Sequence, residues 1–218
     1  MSKRQVVVDG MVEPLPRVAD DLFVVYGAGP DPGRAKGGVA AAVRAAVREV
    51  PGGRGAFAVS ASFVGERNFN RYDVEDLVGE RIARLTGGRY CSRRGGRVPP
   101  EERSEWRVVL DGKTLWVARR PYAVPLHRRP WRQHTVAGSL HPPVAAAMAR
   151  LAKLAPGQQV IDPFCGAGTL LVEAHHLEPG ARYVGLDRDP AAIAAAKANW
   201  AAADHRGGEG GGGVVWRW

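Results

Sequence analysis

Apolar residues fall in short clusters along the chain, and their spacing alternates between that of strands and that of helices. Val6 to Val8 and Leu22 to Val25 read as short strands, and Val39 to Val50 carries apolar positions at helical spacing. Ala56 to Phe63 alternates as a strand does. Asp73 is placed to cap the next helix, in which Val74, Leu77, Val78, Ile82 and Leu85 share one face and Gly87-Gly88 ends the run. Trp106 to Leu110 and Leu115 to Ala118 flank Asp111-Gly112 and predict a hairpin. Strand, helix, strand, strand is the rhythm of a small α+β module ending near Arg120-Pro121.

The pattern then changes. Pro125 to Arg132 is basic, holds two prolines and few apolar residues, and predicts a linker. A helix is expected from Ser139 to Leu154, with Pro142 and Pro143 in its first turn, where a missing N–H costs little. Beyond it come a strand at Val160–Ile161, a helix from Thr169 to His176, a strand from Tyr183 to Leu186 and a helix from Pro190 to Trp200. This alternation predicts an α/β layer with a parallel sheet. After a glycine-rich tail expected to be mobile, Val214 to Trp218 offers a third strand, and no internal repeat is visible.

The 218 residues suffice for one medium domain or two small ones, and no apolar run approaches the ~18 residues of a membrane span. Cys91 and Cys165 supply neither a disulfide framework nor a metal-ligand set, so a reducing cytoplasm is the expected compartment. His175, His176 and His205 do not amount to a zinc site, since adjacent helical histidines diverge. With 31 Lys+Arg against 22 Asp+Glu the net charge is +9, mostly from arginine, which forks onto phosphate oxygens. Two stretches set arginines beside an aromatic ring: Arg89, Arg93, Arg94 and Arg97 around Tyr90, and Arg128, Arg129 and Arg132 around Trp131. Cationic forks with a stacking ring suit RNA, and both stretches are candidate RNA contacts.

The stretch V-I-D-P-F-C-G-A-G-T-L-L-V-E-A, from Val160 to Ala174, joins a buried strand to a helix through a glycine turn. In open α/β folds, ligands bind at this edge of the sheet. A dinucleotide would ask for a third glycine, where Leu171 stands, and Asp162 would repel a pyrophosphate while suiting an ammonium or sulfonium group. The following strand ends in G-L-D, so Asp187 offers two acceptor oxygens to two neighbouring hydroxyls. S-adenosylmethionine and a dinucleotide compete for this turn, with the former ahead.

D-P-F-C-G-A-G-T-L-L-V-E-A followed by Y-V-G-L-D-R-D-P-A-A-I-A-A-A-K-A-N resembles the cofactor motifs of class I S-adenosylmethionine-dependent methyltransferases. The branch it resembles most modifies the exocyclic amine of guanine in tRNA or large-subunit rRNA, and L-H-R-R-P-W-R ahead of S-L-H-P-P is similar to that branch's lead-in. F-N-R-Y-D-V-E-D-L-V-G-E-R-I-A-R-L-T-G-G and W-R-V-V-L-D-G-K-T-L-W-V resemble, more loosely, a THUMP domain, an RNA-binding unit. The resemblance implies an α/β fold: an N-terminal THUMP-like α+β module, then the first half of a Rossmann-like class I methyltransferase sheet. It implies a THUMP-like region at 1–124 with a partial ferredoxin-like segment, a basic linker at 125–138 and a partial methyltransferase domain at 139–218. It further implies S-adenosyl-L-methionine as cofactor, with Asp162, Phe164, Cys165, Gly166 and Gly168 at its methionine end, Asp187 at the ribose and Arg188 near the adenine.

That branch holds its target amine with Asn/Asp-Pro-Pro-aromatic after a fourth strand. The asparagine that follows Asp187, Asn199, precedes Trp200, and the pairs Pro99-Pro100 and Pro142-Pro143 do not fit. No catalytic residue is therefore assigned, and the sequence is expected to stop short of the acceptor motif and to be inactive alone. Two other readings stay open: a non-catalytic RNA-binding protein and a DNA amine methyltransferase.

Overall fold

The computed structural model describes residues 5–10, 12–203 and 213–217. The chain divides into two compact units, one formed by Met1–Gly10 and Leu22–Ala123, the other by Met11–Asp21 and Val124–Trp218. The tail from Gly207 to Gly212, His205 and Trp218 lie outside the described residues.

The first unit contains β1 (Val24–Pro30), α1 (Val39–Ala46), β2 (Ala56–Phe63), α2 (Arg71–Thr86), β3 (Arg89–Tyr90), β4 (Ser104–Leu110) and β5 (Thr114–Arg119). Its mixed sheet has the order β1-β5-β4-β2-β3. Strands β4 and β5 form the hairpin predicted around Asp111-Gly112, and β1 pairs antiparallel with β5 from Val24 opposite Arg119 to Pro30 opposite Thr114. The alternation in β4 buries Trp106, Val108 and Leu110, which meet Val39 and Val43 of α1 and Val74, Val78 and Ile82 of α2 in one core.

Three local expectations change here. Val6 to Val8 is exposed and forms no strand. Helix α1 ends at Ala46 rather than Val50, consistent with Pro51, which disfavours helical backbone in the residue before it. The cap of α2 is Asn70, whose side chain accepts the Asp73 amide while Asp73 accepts the Asn70 amide. Asp73 thus closes a capping box from inside the helix.

The second unit contains α3 (Pro142–Leu151), β6 (Gln159–Asp162), α4 (Thr169–Leu177), β7 (Arg182–Leu186), α5 (Pro190–Ala202) and β8 (Val214–Arg217). The strands form a parallel sheet in the order β6-β7-β8, as the α/β alternation requires. Leu171, Tyr183, Ala174 and Ile193 form its core with Cys165.

The stretch expected to be a linker is folded into this unit. Trp131 is 5% exposed and packs with Val172 and Ala203. Arg129 donates to the fully buried carboxylate of Glu173, which also receives Arg17 from the Met11–Asp21 segment. A count of apolar residues overlooks that one tryptophan and a buried counter-charge are enough to anchor a short basic segment.

Candidate functional site

The C-terminal ends of β6 and β7 lie side by side, with Asp162 paired to Gly185 just before Asp187. From β6 the chain turns through Pro163 to Gly168 into α4. Gly166 and Gly168 have φ of +52° and +77°, a backbone region that costs a side-chain-bearing residue energy. A Cβ at Gly168 would also be crowded, at 3.1 Å from Ala196 and 3.2 Å from Trp216, so those neighbours would have to shift.

The turn is held from β7. The Cys165 amide donates to Leu186 O at 2.9 Å, and the Gly166 amide donates to Asp187 Oδ2 at 2.9 Å. The other oxygen of Asp187 accepts the Asp189 amide at 2.9 Å. Each carboxylate oxygen keeps acceptor capacity beyond these bonds.

A cleft of about 460 Å³ opens over the turn, within the usual size range of small-molecule sites. One wall is Val136 to Leu140; the floor and other wall include Asp162, Phe164, Cys165, Gly166, Thr169, Asp187, Asp189 and Ala192. Three aspartates thus line one space. Burial pushes the Asp162 carboxyl above the ordinary range, and the charge of Asp187 adds to this, while the Phe164 amide on its Oδ1 opposes it. A cation in the cleft would relieve that repulsion. Thr169 Oγ1, at the first residue of α4, is buried without a hydrogen-bond partner.

Burial, then the carboxylates of Asp162 and Asp187, push the Cys165 thiol up to about 12, so it stays protonated near neutrality and is unsuited to act as a nucleophile. Phe164 is 87% exposed at the rim. Gly168 and Arg188 are not on the cleft lining: Gly168 shapes the turn from behind, and Arg188 is exposed on the surface. The sequence does not point to the wall from Val136 to Leu140, nor to Thr169 and Asp189. The wall falls where a linker and a helix start are expected, and its only signal is its proximity to S-L-H-P-P.

Over the arginines the structure divides the candidates. Arg93 is bound to Glu105, Arg94 to Asp73 and Asp76, and Arg129 to Glu173. Arg132 donates to Leu140 O. Each of these four guanidinium groups thus bonds within the protein. Arg89, Arg97 and Arg128 are exposed and have no ion pair among the described residues. Tyr90 is also committed, donating to Asp76 Oδ1 at 2.9 Å.

His175 packs edge-on against Tyr183 and Trp200 in the core. Among the described residues no group of three or more potential ligands could hold a metal ion, and no helix is long and apolar enough to cross a membrane.

Residues 129–208 match the family model of the UPF0020, RMKL-like, methyltransferase domain. The matched residues fall within the second unit. Over 125 residues the chain is 37% identical to a tRNA (guanine(6)-N2)-methyltransferase of Thermus thermophilus, a match covering 56% of this chain and 34% of that protein. It is 39% identical over 82 residues to the mouse U6 snRNA (guanine-N(2))-methyltransferase THUMPD2, covering 37% of this chain and 16% of that protein. Its structure superimposes on that of TrmN from Thermus thermophilus with a TM-score of 0.69 and 29% identity, covering 90% of this chain and 58% of that one. The chain thus spans about a third or less of the length of these two curated relatives. The mixed α/β architecture is that of its methyltransferase neighbours.

Proposed function

We propose that the methyltransferase domain holds S-adenosylmethionine in the cleft above the glycine turn, and that the protein it serves methylates guanine N2 in structured RNA. The observation that carries this reading is the pairing of Asp187 with the turn. One carboxylate fixes Gly166 and still offers acceptor capacity on both oxygens, which suits a ribose diol.

The remaining lining fits the same ligand. Asp162 supplies negative charge for the ammonium and sulfonium groups, Thr169 brings a buried hydroxyl without a partner, and the backbone of Gly166 permits close approach. The cofactor supplies an electrophilic methyl group on a sulfonium. A dinucleotide fits less well, because Asp162, Asp187 and Asp189 line the space its pyrophosphate would fill and Leu171 stands at the third glycine position.

The RNA and guanine parts of the proposal rest on the tRNA and U6 snRNA enzymes to which the chain is similar, and on the excess of arginine. The first unit, with its THUMP-like pattern, is proposed as an RNA-binding module. These 218 residues hold no Asn-Pro-Pro-aromatic motif, so they are proposed to bind cofactor without transferring its methyl group.

Calorimetric titration with S-adenosylmethionine and, separately, NADH tests the cofactor reading. S-adenosylmethionine is expected to bind and NADH to give no heat; tighter binding of NADH would restore the dinucleotide alternative. Labelled methyl transfer to bulk tRNA and rRNA tests the rest, with no turnover expected from the 218-residue chain.

A further inference from the structure

Asn199, in the last turn of α5, is 0% exposed, and its side-chain amide is fully used. Its Oδ1 accepts the Gln133 and His134 amides, both at 2.9 Å. Its Nδ2 donates to His134 O at 2.8 Å and to Ala167 O at 2.9 Å. Two acceptor positions and two donors meet two amides and two carbonyls, which is the whole capacity of the group.

These partners belong to different walls of one cleft. Ala167 is the middle residue of the G-A-G turn that forms its floor. Gln133 and His134 lead directly into Val136–Leu140, the facing wall, whose backbone lies in no regular element. Asp187 holds Gly166 from β7, but it makes no bond to that facing wall; Asn199 joins the wall to the floor.

We propose that Asn199 is a positioning residue that sets the separation of the two walls, and through it the affinity of the cleft for an adenosyl ligand. The proposal rests on the cofactor reading above. Asn199 itself is not on the cleft lining, so it acts through the backbone of His134 and Ala167. No other side chain of similar size offers both donors and acceptors in this arrangement. Aspartate would keep the two accepted bonds but turn an oxygen toward two carbonyls. Protonation of that aspartate would return one donor, so its defect should depend on pH.

The experiment compares the parent chain, Asn199→Asp and Tyr183→Phe by calorimetry with S-adenosylmethionine in weakly alkaline and weakly acidic buffer, with urea melts alongside. Tyr183→Phe removes one hydrogen bond, to Glu178 O, from the opposite end of β7 and serves as the stability control. Relative to the parent at each pH, Asn199→Asp is expected to bind about 10- to 100-fold more weakly in alkaline buffer, with the gap narrowing in acid. Tyr183→Phe is expected to lose stability and keep affinity. A folded Asn199→Asp with parental affinity overturns the proposal, as does an equal loss in Tyr183→Phe. Hydrogen exchange on the parent gives an independent readout should Asn199→Asp not fold. Protection of the Gln133 and His134 amides is expected to rise with added S-adenosylmethionine, and unchanged protection overturns the role. Absence of any binding by the parent chain overturns the cofactor reading and this proposal with it.

Discussion

Asp187 Oδ2 accepts the Gly166 amide at 2.9 Å, so the acid at the end of one strand fixes the conformation of the loop after its neighbour. The same side chain is therefore asked to shape the turn and to meet the ligand. Replacing it with alanine should weaken S-adenosylmethionine binding by about 1.5–3 kcal/mol for each hydrogen bond removed from the charged acceptor. Calorimetry on Asp187→Ala measures this, and parental affinity in the variant would remove the cofactor assignment.

Asp162 gives the cleft a pH dependence. Its folded pKa lies above the ordinary 3.8 because burial and the nearby Asp187 disfavour the charged form. An acid with a raised folded pKa destabilises the fold when ionised, so this contribution is unfavourable above the raised pKa and disappears as pH falls toward 3.8. Binding of a sulfonium follows the opposite sense, because protonation removes the attracting charge. S-adenosylmethionine affinity should therefore fall as pH drops through the Asp162 titration. In Asp162→Asn that slope should flatten while stability at neutral pH rises. Titrations and melts across the weakly acidic range would expose either failure.

Glu173 pairs with both Arg129 and Arg17 at 0% side-chain exposure, while Arg129 is itself 7% exposed. Removing a carboxylate of this kind leaves a buried cation uncompensated, so Glu173→Ala should cost about 3–5 kcal/mol. Arg17→Ala should cost clearly less, because Arg17 is 40% exposed and water can replace its partner. Urea denaturation of the two variants measures the difference. Equal effects would mean that the pair does not divide in this way.

Arg89, Arg97 and Arg128 are the arginines of the two basic stretches with no ion pair among the described residues, and they are the expected phosphate ligands. Each alanine substitution should reduce the salt slope of binding to single-stranded RNA by about 0.7 log units for every phosphate left without its arginine. Arg93→Ala and Arg94→Ala should act instead on stability, since they break bonds to Glu105, Asp73 and Asp76. An unchanged salt slope in the triple variant Arg89→Ala, Arg97→Ala, Arg128→Ala would leave these residues as ordinary solvated surface.

The periodic elements were legible because their apolar spacing is regular. The strand at 56–63, the hairpin around Asp111-Gly112 and the alternation from β6 to α5 lie where the pattern puts them. The glycine turn and Asp187 were legible for a different reason: backbone constraint and acceptor chemistry restrict which residues can stand there. The Val136–Leu140 wall was not, since irregular backbone has no period and its position is fixed by Asn199, 60-odd residues along the chain, a bond that spacing cannot reveal. In the arginine stretches a charge count does not record pairing. Glu105, Asp73 and Asp76 come from β4 and α2, and only the folded sheet brings them to Arg93 and Arg94.

The pairing of Val24 with Arg119 has a consequence for the order of folding. The second unit takes Met11–Asp21 from just before the Leu22–Ala123 segment of the first unit and Val124–Trp218 from after it, so the bond between Arg17 and Glu173 closes a long loop. The two residues are 156 apart in sequence, and closing an unstructured loop of that length costs about 5 kcal/mol in chain entropy. Once β1 and β5 are zipped, both exits of the first unit leave from neighbouring strands, and most of that search is already over. The expected order therefore has β5 docking on β1 before Arg17 reaches Glu173, with the first unit as the staple.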